Sequence, residues 1–354
     1  MANLFGRDWT RAELLRKVGD ISQLGGGEVV ELQNGRAQGV RAVRVRTGPL
    51  AFTVLAGNCL DVYDFAYRGA SLCWHSPTGI SAGAYHEDEG LRTLRVFQGG
   101  LLVTCGLSQM GAPNVDEGEP LGLHGRIHHL PAESFVVDGR WDGDEYVMWV
   151  EGRVREVTMF GANLVLHRRI ETRLGSASLR IVDTVENQGF APAPHLILYH
   201  VNAGFPLVDD RTRLVVNSKS IPRDAEAEKG FGQERMFSEP VPGYTEQVFW
   251  HDATPGGDGY VRAAVVNDGF GGGEGLALYL RYPKAQLPWL YEWKMMGEGT
   301  YVVGVEPANS LGYGRARERA EGRLPFLAPG ASVRYELEIG AASGKAEIAR
   351  IAGG

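Results

Sequence analysis

Val333-Arg-Tyr-Glu-Leu-Glu-Ile339 alternates apolar and charged residues without a break. Side chains two apart in an extended chain share a face, so Val333, Tyr335, Leu337 and Ile339 face a core while Arg334, Glu336 and Glu338 face water. The same rhythm recurs far away in the chain. Val43 and Val45 alternate with Arg44 and Arg46, Leu179 and Ile181 with Arg180 and Val182, and Leu276, Leu278 and Leu280 with Ala277, Tyr279 and Arg281. Pro49, Asn58, Gly161, Gly175, Asn187-Gln-Gly189 and Asp268-Gly269 punctuate these runs as turns. No repeated strand–helix–strand rhythm or solenoid period interrupts them, so an all-β protein built of antiparallel strands is expected.

One short helix is expected at the start, where Thr10-Arg-Ala-Glu13 fits a capping box and Gly19 follows Leu14, Leu15 and Val18. The domain organisation that follows is an N-terminal helical arm over 1–24, a single β-sandwich domain over 25–345 and a C-terminal tail over 346–354. Glycine supplies 49 of 354 residues, in keeping with many turns. The triplets Gly25–Gly27 and Gly271–Gly273 lack nucleotide-loop spacing and read as turns.

Lysine and arginine total 36 against 43 acidic residues, a net charge of −7 with the signs interspersed. That balance disfavours nucleic acid and anionic membranes as partners. Cys59, Cys73 and Cys105 are odd in number and lack CxxC spacing. They read as free thiols in a reducing compartment, and with no apolar run of signal or membrane length the expected location is cytoplasmic. Neither GxSxG nor HExxH occurs, which leaves serine-hydrolase and zinc-protease chemistry without a motif.

Three segments carry chemistry. In Leu121-Gly-Leu-His-Gly-Arg-Ile-His-His-Leu-Pro131, glycines flank His124 and open its backbone to close approach. His124, His128 and His129 also raise a metal site, against which adjacent His128 and His129 would point to opposite faces of a strand. In Pro194-His-Leu-Ile-Leu-Tyr-His-Val-Asn-Ala-Gly-Phe-Pro206 an apolar strand carries His200 and Asn202 on one face. In Tyr301-Val-Val-Gly-Val-Glu-Pro-Ala-Asn309 an apolar strand delivers the single carboxylate of Glu306, costly there unless paired or set in a cleft. Upstream of it, Trp289, Tyr291 and Trp293 at two-residue spacing form one aromatic wall, suited either to core packing or to the C–H face of a sugar.

Taken in order, Gly122-Leu-His-Gly-Arg126, Tyr199-His-Val-Asn-Ala-Gly-Phe-Pro206, Leu287-Pro-Trp289 with Glu292-Trp-Lys-Met-Met-Gly297, and Gly304-Val-Glu-Pro-Ala-Asn309 resemble the aldose 1-epimerase (galactose mutarotase-like) superfamily, and within it a poorly characterised bacterial branch. With Phe97-Gln-Gly-Gly-Leu-Leu-Val-Thr-Cys-Gly106, the likeness runs over residues 25–340. It implies a large antiparallel β-supersandwich with a sugar cleft, and an isomerase that needs neither cofactor nor metal. Glu306 would be the base, His200 the acid and His124 a supporting donor. Around them Arg126, Asn202, Arg95, Trp289, Trp293, Lys294 and Asn309 would bind the sugar. The pattern departs from the family at Asn202, two residues after His200 rather than four, and leaves Asp209, Asp210 and Asp252 as alternatives for a sugar-binding aspartate.

The functional expectation is a carbohydrate epimerase, most simply a mutarotase of a free sugar or sugar acid. Its alternatives are an epimerase or isomerase at another carbon, with or without a metal, and a non-catalytic carbohydrate-binding protein. The expected partner is a small carbohydrate. The segment Ser220 to Tyr244 reads either as a cleft-lining loop or as the contact of a homodimer.

Overall fold

The computed structural model describes residues 1–352, so the last two residues of the expected tail lie outside the described residues. Three antiparallel sheets share one core. The largest has eight strands, in the order Ser134–Asp142, Glu145–Val157, Asn163–Arg173, Ser178–Asn187, Ser332–Ser343, Leu276–Pro283, Tyr260–Asn267 and Thr212–Val216. A five-stranded sheet runs from Gly26–Glu31 to Ala70–Ser71. The third sheet, which carries the candidate site, has six strands: β1 (Leu102–Leu107), β2 (Leu196–Gly204), β3 (Ser218–Pro222), β4 (Gln247–Ala253), β5 (Trp289–Gly297) and β6 (Thr300–Ala308). Their spatial order is β3-β4-β5-β6-β2-β1.

Alternation places the residues as expected. Tyr335, Leu337 and Ile339 are buried while Arg334 is exposed, and Val43 and Val45 are buried between exposed Arg44 and Arg46. Ala277, expected on the outer face, is buried as well, because the helix Lys345–Ala352 packs Ile348 over Ala264, Val266, Ala277 and Ala342. At the N-terminus a hairpin, Ala2–Leu4 with Arg7–Trp9, precedes the helix Arg11–Leu15. Both halves of the capping box form: Thr10 Oγ1 accepts from the Glu13 amide, and Glu13 Oε2 accepts from the Thr10 amide. The two glycine triplets differ. Gly271–Gly273 turn with positive φ, whereas Gly26 and Gly27 enter a strand, where a β-carbon on Gly27 would stand 2.5 Å from Val137 of the large sheet.

The three sheets are also joined by a buried polar cluster. Arg168 of the large sheet donates to Asp183 Oδ1 and Oδ2 at 3.0 and 2.7 Å and to Asp61 Oδ1 of the five-stranded sheet at 2.9 Å. On the site sheet, the Tyr199 hydroxyl donates to Asp183 at 2.8 Å and the Thr104 amide to Asp61 at 3.0 Å. Two carboxylates around one guanidinium leave the cluster one charge short of balance, and burial pushes Asp61 up to about 6 against the pull of Arg168. The cysteines Cys59, Cys73 and Cys105 are free and buried. Among the described residues no helix is long and apolar enough to cross a membrane.

Candidate active site

The inner strands of the six-stranded sheet send alternate residues to the common core and the others to a second cluster. Ile197, Tyr199, Val201, Val303 and Val305 face the core. Leu196, Leu198, Val302, Ala308, Tyr291 and Trp250 face the second cluster, where Trp74 and Phe97 cover them. This face also carries His200 and Glu306. The register pairs Leu198 with Ala308 and Asn202 with Gly304, which sets His200 across from Glu306 on adjacent strands. His200 Nε2 lies 3.3 Å from Glu306 Oε1, both side chains are buried, and Oε1 accepts no aligned hydrogen bond.

Aromatic rings enclose the pair. The His200 ring meets Trp293 edge-on at 5.3 Å between centroids, Phe97 at 5.4 Å and His124 at 5.6 Å, and Trp74 meets Trp293 at 6.1 Å. Gly304 makes room for the carboxyl, since a β-carbon there would stand 2.1 Å from Glu306 Oε1.

His124 arrives from a loop rather than a strand, with φ of +62°. Its amide donates to Gly111 O and its carbonyl accepts from Gly106, so the backbone expected to be open to a ligand is already engaged. The following glycine is needed by the protein itself: a β-carbon on Gly125 would stand 2.3 Å from Gln109 O and 2.4 Å from Gly106 O.

Burial reverses the charge states that free side chains would have. Removal from water pushes the Glu306 carboxyl up to about 8, with Glu246 adding to the rise and Arg223 opposing it. Burial pushes His200 down to about 3, helped by His124, with Asn202 opposing, and pushes His124 down to about 4, helped by Arg223. A histidine near 6.5 and a glutamate near 4.3 would give an ion pair at neutral pH. Burial instead favours a neutral carboxyl beside a neutral imidazole. The two forms contain the same single proton and differ only in where it sits.

The structure gathers some of the sequence candidates and separates others. Trp293 stands at the pair, while Trp289 and Tyr291 share its face farther along and pack in the apolar cluster. Asn202 is buried beside His200, its Nδ2 donating to Gly100 O and His200 O, which fixes backbone rather than the imidazole ring. Lys294 points the other way: as Trp293's neighbour on an extended strand it faces the core, where Nζ donates to Gln233 O and Met236 O. Asn309, an odd number of residues from Glu306, bonds the Ile197 amide and His195 O. Arg95 is exposed and paired with Glu87 at 3.0 Å. Arg126 donates to Val157 O and Thr158 Oγ1.

None of the three aspartates joins the site. Asp209 is taken up by Arg211 and Thr212, Asp210 lies 3.8 Å from Arg211, and Asp252 pairs with Lys284. The charged residues whose fields act on Glu306 are two that the sequence reading left unassigned, Arg223 and Glu246. Trp293 Nε1 donates to Glu246 Oε2 at 2.8 Å, and Arg223 bridges Glu246 and Asp224 at 3.3 and 2.7 Å. Arg223 lies within Ser220 to Tyr244, just past the strand Ser218–Pro222 that opens that segment.

His128 and His129 lie not on a strand but in a 3₁₀ turn, Ile127–His129, and both are buried. Their Nε2 atoms lie 3.2 and 3.3 Å from Thr93 Oγ1, and His86 stacks on His129 at 4.0 Å. Among the described residues no three His, Cys, Asp or Glu side chains converge as a metal-ligand set.

The chain is similar to solved structures over most of its length. A Klebsiella pneumoniae protein provisionally assigned as an aldose 1-epimerase is 25% identical, with a TM-score of 0.87 over 92% of this chain and 86% of its own. A galactose mutarotase-like protein from Clostridium acetobutylicum gives a TM-score of 0.62 at 12% identity, over 90% and 99% of the two chains. A galactose 1-epimerase from Lactobacillus acidophilus gives 0.53 at 12%, again over 90% and 99%. The last two show the shared fold alone. No curated protein matches the sequence. The fold is therefore the galactose mutarotase-like β-sandwich, and the match over residues 37–341 places the chain in the family described as Domain of unknown function (DUF4432).

Proposed function

We propose that this chain is a carbohydrate epimerase, acting as an aldose 1-epimerase that interconverts the anomers of a free sugar through ring opening. One observation carries the reading: a buried carboxyl and a buried imidazole, 3.3 Å apart on adjacent strands, enclosed by aromatic rings and without an aligned hydrogen bond between them. The solved structure provisionally assigned as an aldose 1-epimerase supports it.

Ring opening takes a proton from the anomeric hydroxyl and delivers one to the ring oxygen. A pair that holds one proton and one vacant acceptor performs both transfers with no net exchange with solvent. In its neutral form Glu306 donates to the ring oxygen and an imidazole, His200 or His124, accepts the hydroxyl proton. In the ion-pair form the directions reverse, with Glu306 as base and His200 as acid. The bond from the anomeric carbon to the ring oxygen breaks as the carbonyl forms. The aldehyde then turns and closes from its other face, and the two protons return. Trp293 and Phe97 offer apolar surface to the C–H face of the sugar. Arg223 and Glu246, side by side, offer donors and acceptors for its hydroxyls. We place this activity in the cytoplasm, to which the three free thiols are suited.

Saturation-transfer NMR of anomeric exchange over aldoses, uronic acids and deoxy sugars tests the proposal. Exchange accelerated for one sugar and lost in Glu306→Gln with binding retained supports it. Binding without exchange in the wild type rejects it in favour of a carbohydrate-binding protein.

A further inference from the structure

A cavity of about 180 Å³ lies against the loop that carries His124. Gly122 and Gly125 line it, while His124 between them meets His200 at ring distance. The cavity is lined besides by Asp88, Glu119, Leu121, Arg126 and Thr158. Its space is that of about six liquid waters, room for one sugar ring.

The polar groups there are incompletely used. Arg126 Nη2 is satisfied by Val157 O and Thr158 Oγ1, but Nη1 stops 3.8 Å from Asp88 Oδ2. That gap is too long for a direct hydrogen bond. A hydroxyl is donor and acceptor at once, so one set between them would accept from Arg126 and donate to Asp88. Asp88 Oδ1, its other oxygen, lies 2.6 Å from His86 Nε2. Leu121 adds an apolar surface, and while Glu119 is taken up by Arg315, the Asp88 carboxylate that would accept from a hydroxyl would repel a phosphate set in the same place.

We infer that this cavity is an accessory site for a neutral sugar, distinct from the Glu306–His200 pair and sharing the His124 loop with it. The choice of sugars among polyhydroxylated ligands rests on the function proposed above; the cavity and its open cation–carboxylate gap do not. Its occupant presents a hydroxyl to Arg126 and Asp88 and a C–H face to Leu121. Sugar phosphates are excluded by charge.

The test is a methyl NMR titration with D-galactose, D-glucose and glucose phosphate, in which Leu121 reports the cavity and Leu198 the face of the acid–base pair. The neutral sugars are expected to move the Leu121 methyls with a midpoint of their own, and glucose phosphate to leave them unmoved. Thr158→Trp, at an exposed position, should fill the cavity and remove the Leu121 response while the Leu198 midpoint holds. Arg126→Gln should weaken the Leu121 response about tenfold, as loss of one charged hydrogen bond does. Leu121 methyls that ignore both neutral sugars, or respond alike in wild type and Thr158→Trp, overturn the inference. A Leu121 response with Leu198 silent and no anomeric exchange across the aldose, uronic acid and deoxy sugar panel defeats the epimerase reading and upholds the accessory site; the converse pattern does the opposite.

Discussion

The Glu306 carboxyl occupies the space that a side chain on Gly304 would take, with Oε1 2.1 Å from the position of the missing β-carbon. Gly304 is extended, outside the positive-φ region, so its value lies in its size and not in backbone freedom. Gly304→Ala should swing the carboxyl aside at modest cost in stability, because the atom most displaced is the end of a flexible side chain and Trp293 Cβ, 3.0 Å from the new β-carbon, has only to give slightly. Turnover should fall about a hundredfold, as for a reacting group misplaced by an ångström. Anomeric exchange beside a melting curve separates this outcome from unfolding, and an unimpaired variant would show that the carboxyl position is unimportant.

The pH profile of kcat/KM should be a broad plateau. Activity requires one proton on the Glu306–His200 pair, so it falls above about 8, where the carboxyl ionises, and below about 3, where the imidazole protonates as well. Glu246 raises and Arg223 lowers the Glu306 value. Glu246→Gln should therefore move the alkaline limb to lower pH and Arg223→Gln to higher pH. Limbs that stay fixed in both variants would detach those residues from the pair.

Stability should respond to the same groups with opposite signs. His124 and His200 have folded values depressed from about 6.5, so the stability they contribute is present above that value and lost as pH falls toward 4 and 3. Glu306 has a raised value, so its contribution is present below about 4.5 and lost as pH climbs through 8. Melting temperatures of Glu306→Gln should lack the alkaline part of the wild-type decline. Identical slopes in the two proteins would contradict the burial argument.

Arg168→Met should be among the most damaging single changes, costing about 3–5 kcal/mol, because Asp61 and Asp183 would remain buried without their cation. Urea unfolding measures it. A neutral result would mean that the carboxylates take up protons at no cost.

Much of this was legible in the sequence. The alternation at Val333–Ile339 and its repeats established the antiparallel sheets, and the Thr10–Glu13 spacing established the helix cap. His200, His124 and Glu306 met as their motifs implied. Lys294 and Asn309 lie within the motifs that carry the resemblance, although two-residue alternation already turns Lys294 away from Trp293 and Asn309 away from Glu306. Arg223 and Glu246 were not readable, since a charged residue in a loop looks the same whether it meets solvent or a site. The reversed charge states were equally hidden, because they depend on burial created by Trp74 and Phe97, distant in sequence.

The order of strands in the site sheet also bears on how the protein is made. β2 lies between β1 and β6, whose residues are separated by more than half the length of the sandwich. During synthesis β2 can pair with β1 early, yet its other edge, where His200 waits, stays open until Thr300–Ala308 leaves the ribosome. That open edge is a pairing hazard for as long as it lasts. The insertion of β6 closes the edge and delivers Glu306 in a single event, so the Glu306–His200 pair comes into being only once the whole stretch of chain from β2 to β6 has been made.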